Sequence, residues 1–138
     1  MPRILLIDDD DSLRNTLSVI LEQLGHVVIA ARNGAEGLKL FARARADLVL
    51  TDIVMPEKEG LEVLMALRTE QPPVKIIAMS GSGRLWATDN LHLAKLLGAA
   101  SVLEKPFSRE ALATAINETL ACRRPLARPT PASLTLPA

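Results

Sequence analysis

Tyrosine is absent from this sequence, and there are only one tryptophan and two phenylalanines. A core must therefore be built from leucine, valine, isoleucine and alanine, which suits a sheet covered by helices. Cys122 is the only cysteine, so no intramolecular disulfide can form. That fits a reducing compartment, and near the end of a helix such a cysteine reads as an inert small residue. Neither charge sign is in excess: 16 Lys and Arg balance 16 Asp and Glu. No global field then attracts nucleic acid or an acidic membrane surface. Long apolar runs are missing as well. Ile4–Ile7 is too short for a signal-peptide core, and nothing approaches transmembrane length. The expected location is cytoplasmic, with no membrane contact.

The 138 residues suffice for one domain with a sizeable core. Short apolar runs recur at Ile4–Ile7, Val27–Ala30, Leu48–Thr51, Val74–Met79 and Ala100–Leu103. They are almost continuously hydrophobic, as strands buried on both faces are. Helical stripes alternate with them. Leu13, Leu17, Ile20, Leu21 and Leu24 form the first, stopped by Gly25. Asn33 caps a second carrying Ala35, Leu38 and Phe41. Leu61, Leu64 and Leu67 mark a third, and Leu91, Ala94 and Leu97 a fourth ending at Gly98. Ser108 caps a fifth with Leu112, Ile116 and Leu120 inward. Five β-α repeats predict a doubly wound, five-stranded parallel sheet of α/β class. The domain is read over 1–122. From 123 to 138, Pro125, Pro129, Pro131 and Pro137 among small polar residues read as a flexible tail.

Ligands of such sheets bind outside the carboxyl ends of the strands. The first strand runs into Asp8-Asp9-Asp10-Asp11, the third into Asp52, the fourth into Ser80-Gly81 and the fifth into Glu104-Lys105-Pro106. Crowded carboxylates repel unless a cation intervenes, and hard oxygen donors suit Mg²⁺. A carboxylate can attack phosphorus to give an acyl phosphate. A lysine and a hydroxyl can then bind the phosphoryl oxygens. Histidine–serine acyl chemistry is excluded, because His26 and His92 fall away from these ends.

ILLIDDD, DLVLTDIVMPEKEG, IIAMSG and VLEKPF, in this order, closely resemble the receiver domains of bacterial two-component response regulators, from Pro2 to about Cys122. The resemblance implies the flavodoxin-like strand order 2-1-3-4-5. It implies that Asp52 is the phosphoacceptor, with Asp9 a direct metal ligand, Asp8 acting through water, and Val54 supplying a backbone carbonyl to Mg²⁺. Ser80 matches the switch hydroxyl and Lys105 the phosphoryl-pairing lysine, with a cis Lys105-Pro106 bond. The implied partners are a sensor histidine kinase or phosphotransfer protein and a downstream target protein, without direct nucleic-acid binding. Homodimerisation through the fourth-helix side is a further capacity of the family. The chain would be a signalling switch rather than an enzyme.

Three features depart from the family pattern. Val102 stands where a switching aromatic is usual. The segment from Gly81 to Asn90, with Trp86, is longer than usual. Val54 puts an apolar side chain beside Asp52. Three other readings compete with a stand-alone receiver. One is a receiver within a larger regulator, and another is a receiver that is never phosphorylated. The third is an aspartate-nucleophile phosphatase, which would want a second aspartate where Val54 stands.

Overall fold

The computed structural model describes residues 1–52, 59–69, 74–81 and 98–121, with the side chains of 59–61 and 80–81 left aside. Five strands make one parallel sheet: β1 (Arg3–Ile7), β2 (Val27–Ala31), β3 (Leu48–Asp52), β4 (Lys75–Gly81) and β5 (Ser101–Lys105). Their order is β2-β1-β3-β4-β5, as the resemblance implied. Four helices are described: α1 (Asp11–Gln23), α2 (Gly34–Arg43), α3 (Glu59–Arg68) and the C-terminal α4 (Arg109–Ala121). The helix expected over 91–97, the segment with Trp86, and the tail with Cys122 lie outside the described residues.

Successive strand residues point to opposite faces, so one strand feeds two cores. Leu5 and Ile7 of β1 join Val49, Ile76 and Ala78 under Phe41 of α2 and Val63, Leu64 and Leu67 of α3. Ile4 and Leu6 join Leu48, Leu50, Ile77 and Met79 under Leu17 and Leu21 of α1 and Leu112 and Ile116 of α4. Each fully buried Leu or Ile contributes about 1.5–3 kcal/mol. The continuous hydrophobicity of β1 and β3 is thereby explained. The two edge strands differ from that expectation. Val27 of β2 is 40% exposed, and the β5 residues from Ser101 to Leu103 are half-buried. Each pairs with a neighbour on one side only within the five-stranded order.

Local chemistry sets the helix ends. Asp10, Asn33 and Ser108 accept hydrogen bonds from the main-chain N–H of Leu13 (3.1 Å), Glu36 (2.8 Å) and Ala111 (2.9 Å). Gly25, at φ 95°, turns the chain from α1 toward β2. The inward face of α2 is Gly34, Gly37, Leu38 and Phe41, while Ala35 is exposed, contrary to the sequence stripe. The reason is steric. A Cβ on Gly37 would overlap Ile7 Cδ1 and Cγ1, so α2 rests Gly37 directly on the Ile7 side chain of β1. Among the described residues, no helix is long and apolar enough to cross a membrane.

Candidate phosphoacceptor site

The parallel order brings the carboxyl ends of β1, β3 and β5 to one rim. β3 lies between β1 and β4, and Asp52 is its last residue. Asp8 follows β1, with its main-chain N–H donating to Ala31 O at 3.2 Å. Lys105 ends β5 and is followed by a cis Lys105-Pro106 peptide.

These three side chains meet. Lys105 Nζ donates to Asp8 Oδ2 and to Asp52 Oδ2, each at 3.0 Å. Asp8 is fully buried and Asp52 is 5% exposed. Two buried carboxylates so close are tolerable because one ammonium bridges them. Burial alone pushes the lysine's pKa down. The charges and hydrogen bonds of Asp52 and then Asp8 outweigh it, holding Lys105 above its ordinary value and firmly protonated. Asp8 Oδ1 meanwhile accepts from the Asp10 N–H at 2.9 Å. The buried Thr51 hydroxyl donates to Asp52 O at 3.2 Å.

Asp9 is exposed, yet it completes an acidic group. One carboxylate oxygen from each of Asp8, Asp9 and Asp52 lies within 4.8 Å of the others. Three hard oxygen donors with an open side fit a small divalent cation that keeps water in its shell. The main chain of Ser80 lies in β4, where it is paired with Glu104. Its hydroxyl, like Val54, lies outside the described residues. Val102 is half-buried and packs against the core of the α2–α3 face. His26 is buried at the start of β2, at the opposite end of the strand from the Asp8–Asp52 rim.

Arg14 had not stood out in the sequence. Its side chain is only 12% exposed; Nη1 donates to Asp8 O at 2.9 Å, and Nη2 pairs with Asp11. The sequence did hold a signal: an arginine in the first turn of α1 opposes the helix dipole and calls for a partner. Beside Lys105, a cavity of about 360 Å³ is lined by Leu13, Leu17, Ile20, Phe107 and Leu112.

Known proteins bear on this geometry. The family model described as response regulator receiver domain matches residues 4–117. The chain is similar to the transcriptional regulatory protein CpxR of Escherichia coli K12, with 40% identity over 121 residues, which are 87% of this chain and 50% of that protein. It is also similar to sporulation initiation phosphotransferase F of Bacillus subtilis, 30% identical over 118 residues, 86% of this chain and 93% of that protein. A response regulator receiver domain protein from Clostridium thermocellum superposes with a TM-score of 0.79 at 32% identity, covering 87% of this chain and 94% of that one. Other curated regulators are longer: the chain spans 26% of GlrR of E. coli and 35% of AfsQ1 of Streptomyces coelicolor.

Proposed function

The chain belongs to the response regulator receiver domain family, and from that premise we propose that Asp52 is its phosphoacceptor in a Mg²⁺-dependent phosphorelay. The observation that carries this reading is the bridge of Lys105 between Asp52 and Asp8, with Asp9 beside them. An Asp52 oxygen attacks phosphorus and forms the acyl phosphate bond. The bond from phosphorus to the donor breaks, and the donor leaves with the electron pair. Lys105, already protonated, pairs with the phosphoryl oxygens, and the Ser80 hydroxyl hydrogen-bonds one of them. Mg²⁺, held by Asp9, Asp52 and the Val54 carbonyl and by Asp8 through water, would neutralise charge on the transferring group. Both Asp8 oxygens already hold hydrogen bonds, whereas Asp9 is exposed, which supports this division of labour.

The donor is a histidine kinase or a histidine phosphotransfer protein, for which the apolar cavity beside Lys105 offers a contact surface. The output is a contact with a target protein. The added charge draws Lys105 and Ser80 inward and shifts a two-state surface. The chain spans 93% of sporulation initiation phosphotransferase F but 50% of CpxR and 26% of GlrR, so the same receiver fits either a single-domain regulator or one module of a longer one. Sequencing the gene past codon 138 tests that point.

The central test is incubation with Mg²⁺ and acetyl phosphate, followed by intact-mass measurement. The wild type should gain one phosphoryl group and Asp52→Asn none. Equal labelling of both, or labelling of neither, removes the reading.

A further inference from the structure

We propose that Arg14 is a positioning residue for the acidic pair, fixing the turn that carries Asp8 and Asp9 so that it can hold a divalent cation. This rests on the reading of the Asp8–Asp9–Asp52 group as the cation site and adds to it a residue that touches no reacting atom.

The turn from Asp8 to Leu13 leaves a buried strand and enters a helix while carrying four successive acids. Like charges in such a turn push apart, and among the described residues no hydrogen bond or ion pair aims the exposed Asp9. Three hydrogen bonds fold the turn: Asp10 N–H to Asp8 Oδ1 at 2.9 Å, Leu13 N–H to Asp10 Oδ1 at 3.1 Å, and Arg14 N–H to Asp10 O at 2.8 Å. The side chain of Arg14 adds the long-range tie. From the first turn of α1 it reaches back six residues to the Asp8 carbonyl at 2.9 Å. The same guanidinium pairs with Asp11, whose own side chain is 79% exposed. A planar fork that serves both at once fixes the direction of the Asp8–Asp9 peptide relative to the helix, which a single ammonium cannot do.

The carbonyl that Arg14 grips belongs to Asp8 and therefore to the peptide joining the two proposed ligands. Rotation of that peptide would swing Asp9 relative to Asp52. Arg14 thus stands to the acidic pair as outer partners stand to metal-bound side chains, whose removal typically costs roughly 10–100-fold in metal affinity.

Electrostatics and positioning predict opposite signs, which makes the proposal testable. Removing a cation beside a cation site should tighten metal binding if charge alone matters. Loosening the turn should weaken it. Mn²⁺ serves as the probe, with free ion counted by electron paramagnetic resonance in wild type, Arg14→Gln and Arg14→Lys. The expected result is a Kd raised roughly tenfold or more in both variants. Arg14→Lys keeps the charge and loses the fork, so it carries the test if Arg14→Gln does not fold. In phosphorylation by acetyl phosphate, the Mg²⁺ concentration at half-maximal rate should rise. The rate at saturating Mg²⁺ should stay near that of the wild type. A merely destabilised protein would lose amplitude and keep the midpoint. Unchanged or tighter Mn²⁺ binding in Arg14→Lys overturns the proposal. Failure of the wild type to bind Mn²⁺ instead overturns the cation site on which it rests.

Discussion

Replacing Lys105 with methionine separates the charge of this side chain from its bulk. Methionine keeps an unbranched apolar stem and removes the ammonium, so the loss is electrostatic. In the wild type, Nζ stands 3.0 Å from both Asp8 Oδ2 and Asp52 Oδ2, whose side chains are 0% and 7% exposed. Removing one partner of a fully buried ion pair costs about 3–5 kcal/mol, because the other charge stays buried and alone. Here two carboxylates are left, but the lysine side chain was 17% exposed and water can follow it in. The expectation is therefore the low end, about 3 kcal/mol, a large share of the roughly 5–15 kcal/mol stability of a small domain. The assay is urea unfolding in EDTA. Adding Mg²⁺ should then stabilise Lys105→Met more than wild type, since a competing cation has gone and a ligand bound only by the folded state stabilises by mass action. The double variant Lys105→Met with Asp52→Asn should recover part of the loss, because one of the two closely spaced buried carboxylates is removed. Wild-type stability of Lys105→Met in EDTA, together with equal Mg²⁺ effects on both proteins, would refute the bridging role.

Two further outcomes test other parts of the structure. His26 is buried, its Nδ1 has no hydrogen-bond partner among the described residues, and its pKa is lowered from 6.5, first by burial and then by the charge of the chain's amino terminus. The unfolded chain then binds the proton more readily, so stability is full above about pH 6.5 and falls as the pH drops through the lowered folded value. The unfolding free energy between pH 8 and pH 5 should fall by at most about 1.4 kcal/mol per pH unit on this account. The wild type and His26→Leu should differ in that slope; identical slopes contradict the assignment. Gly37→Val forces side-chain atoms into Ile7 and should cost about 1–3 kcal/mol in thermal unfolding. Recovery in Gly37→Val with Ile7→Ala would identify the overlap as the cause, and no loss in the single variant would deny it.

The strand ends were legible because the chemistry at them is unusual. Carboxylates after two apolar runs and a lysine after a third have no packing reason to be there, and the structure brings Asp8, Asp52 and Lys105 into contact. The capping residues Asn33 and Ser108 were equally plain, since side-chain oxygens before helical stripes act locally. What periodicity could not deliver was the rotation of α2. A stripe through Ala35 assumes that the bulkiest apolar side faces the sheet, whereas the helix approaches through Gly34 and Gly37, which carry no hydrophobic signal. Edge and centre strands also read alike in sequence, because exposure of Val27 depends on strand order rather than on its own neighbours. Arg14 escaped for a related reason. An arginine in a first turn signals that a partner is needed, but the partner is a main-chain carbonyl six residues away, which no side-chain pattern identifies.

The contact from Lys105 to Asp8 joins residues 97 apart, and that to Asp52 joins residues 53 apart. Such links can close only once β5 has been made and has docked onto the sheet beside β4. During synthesis, β1 and β3 leave the ribosome well before β5, and until then the aspartates have no ammonium between them. A nascent or partly folded chain would carry the acidic residues without the group that makes them a site. Competence to take a phosphoryl group is therefore a property of the finished sheet. In the cell this would withhold the signal from molecules still being made or misfolded, with no separate checkpoint required.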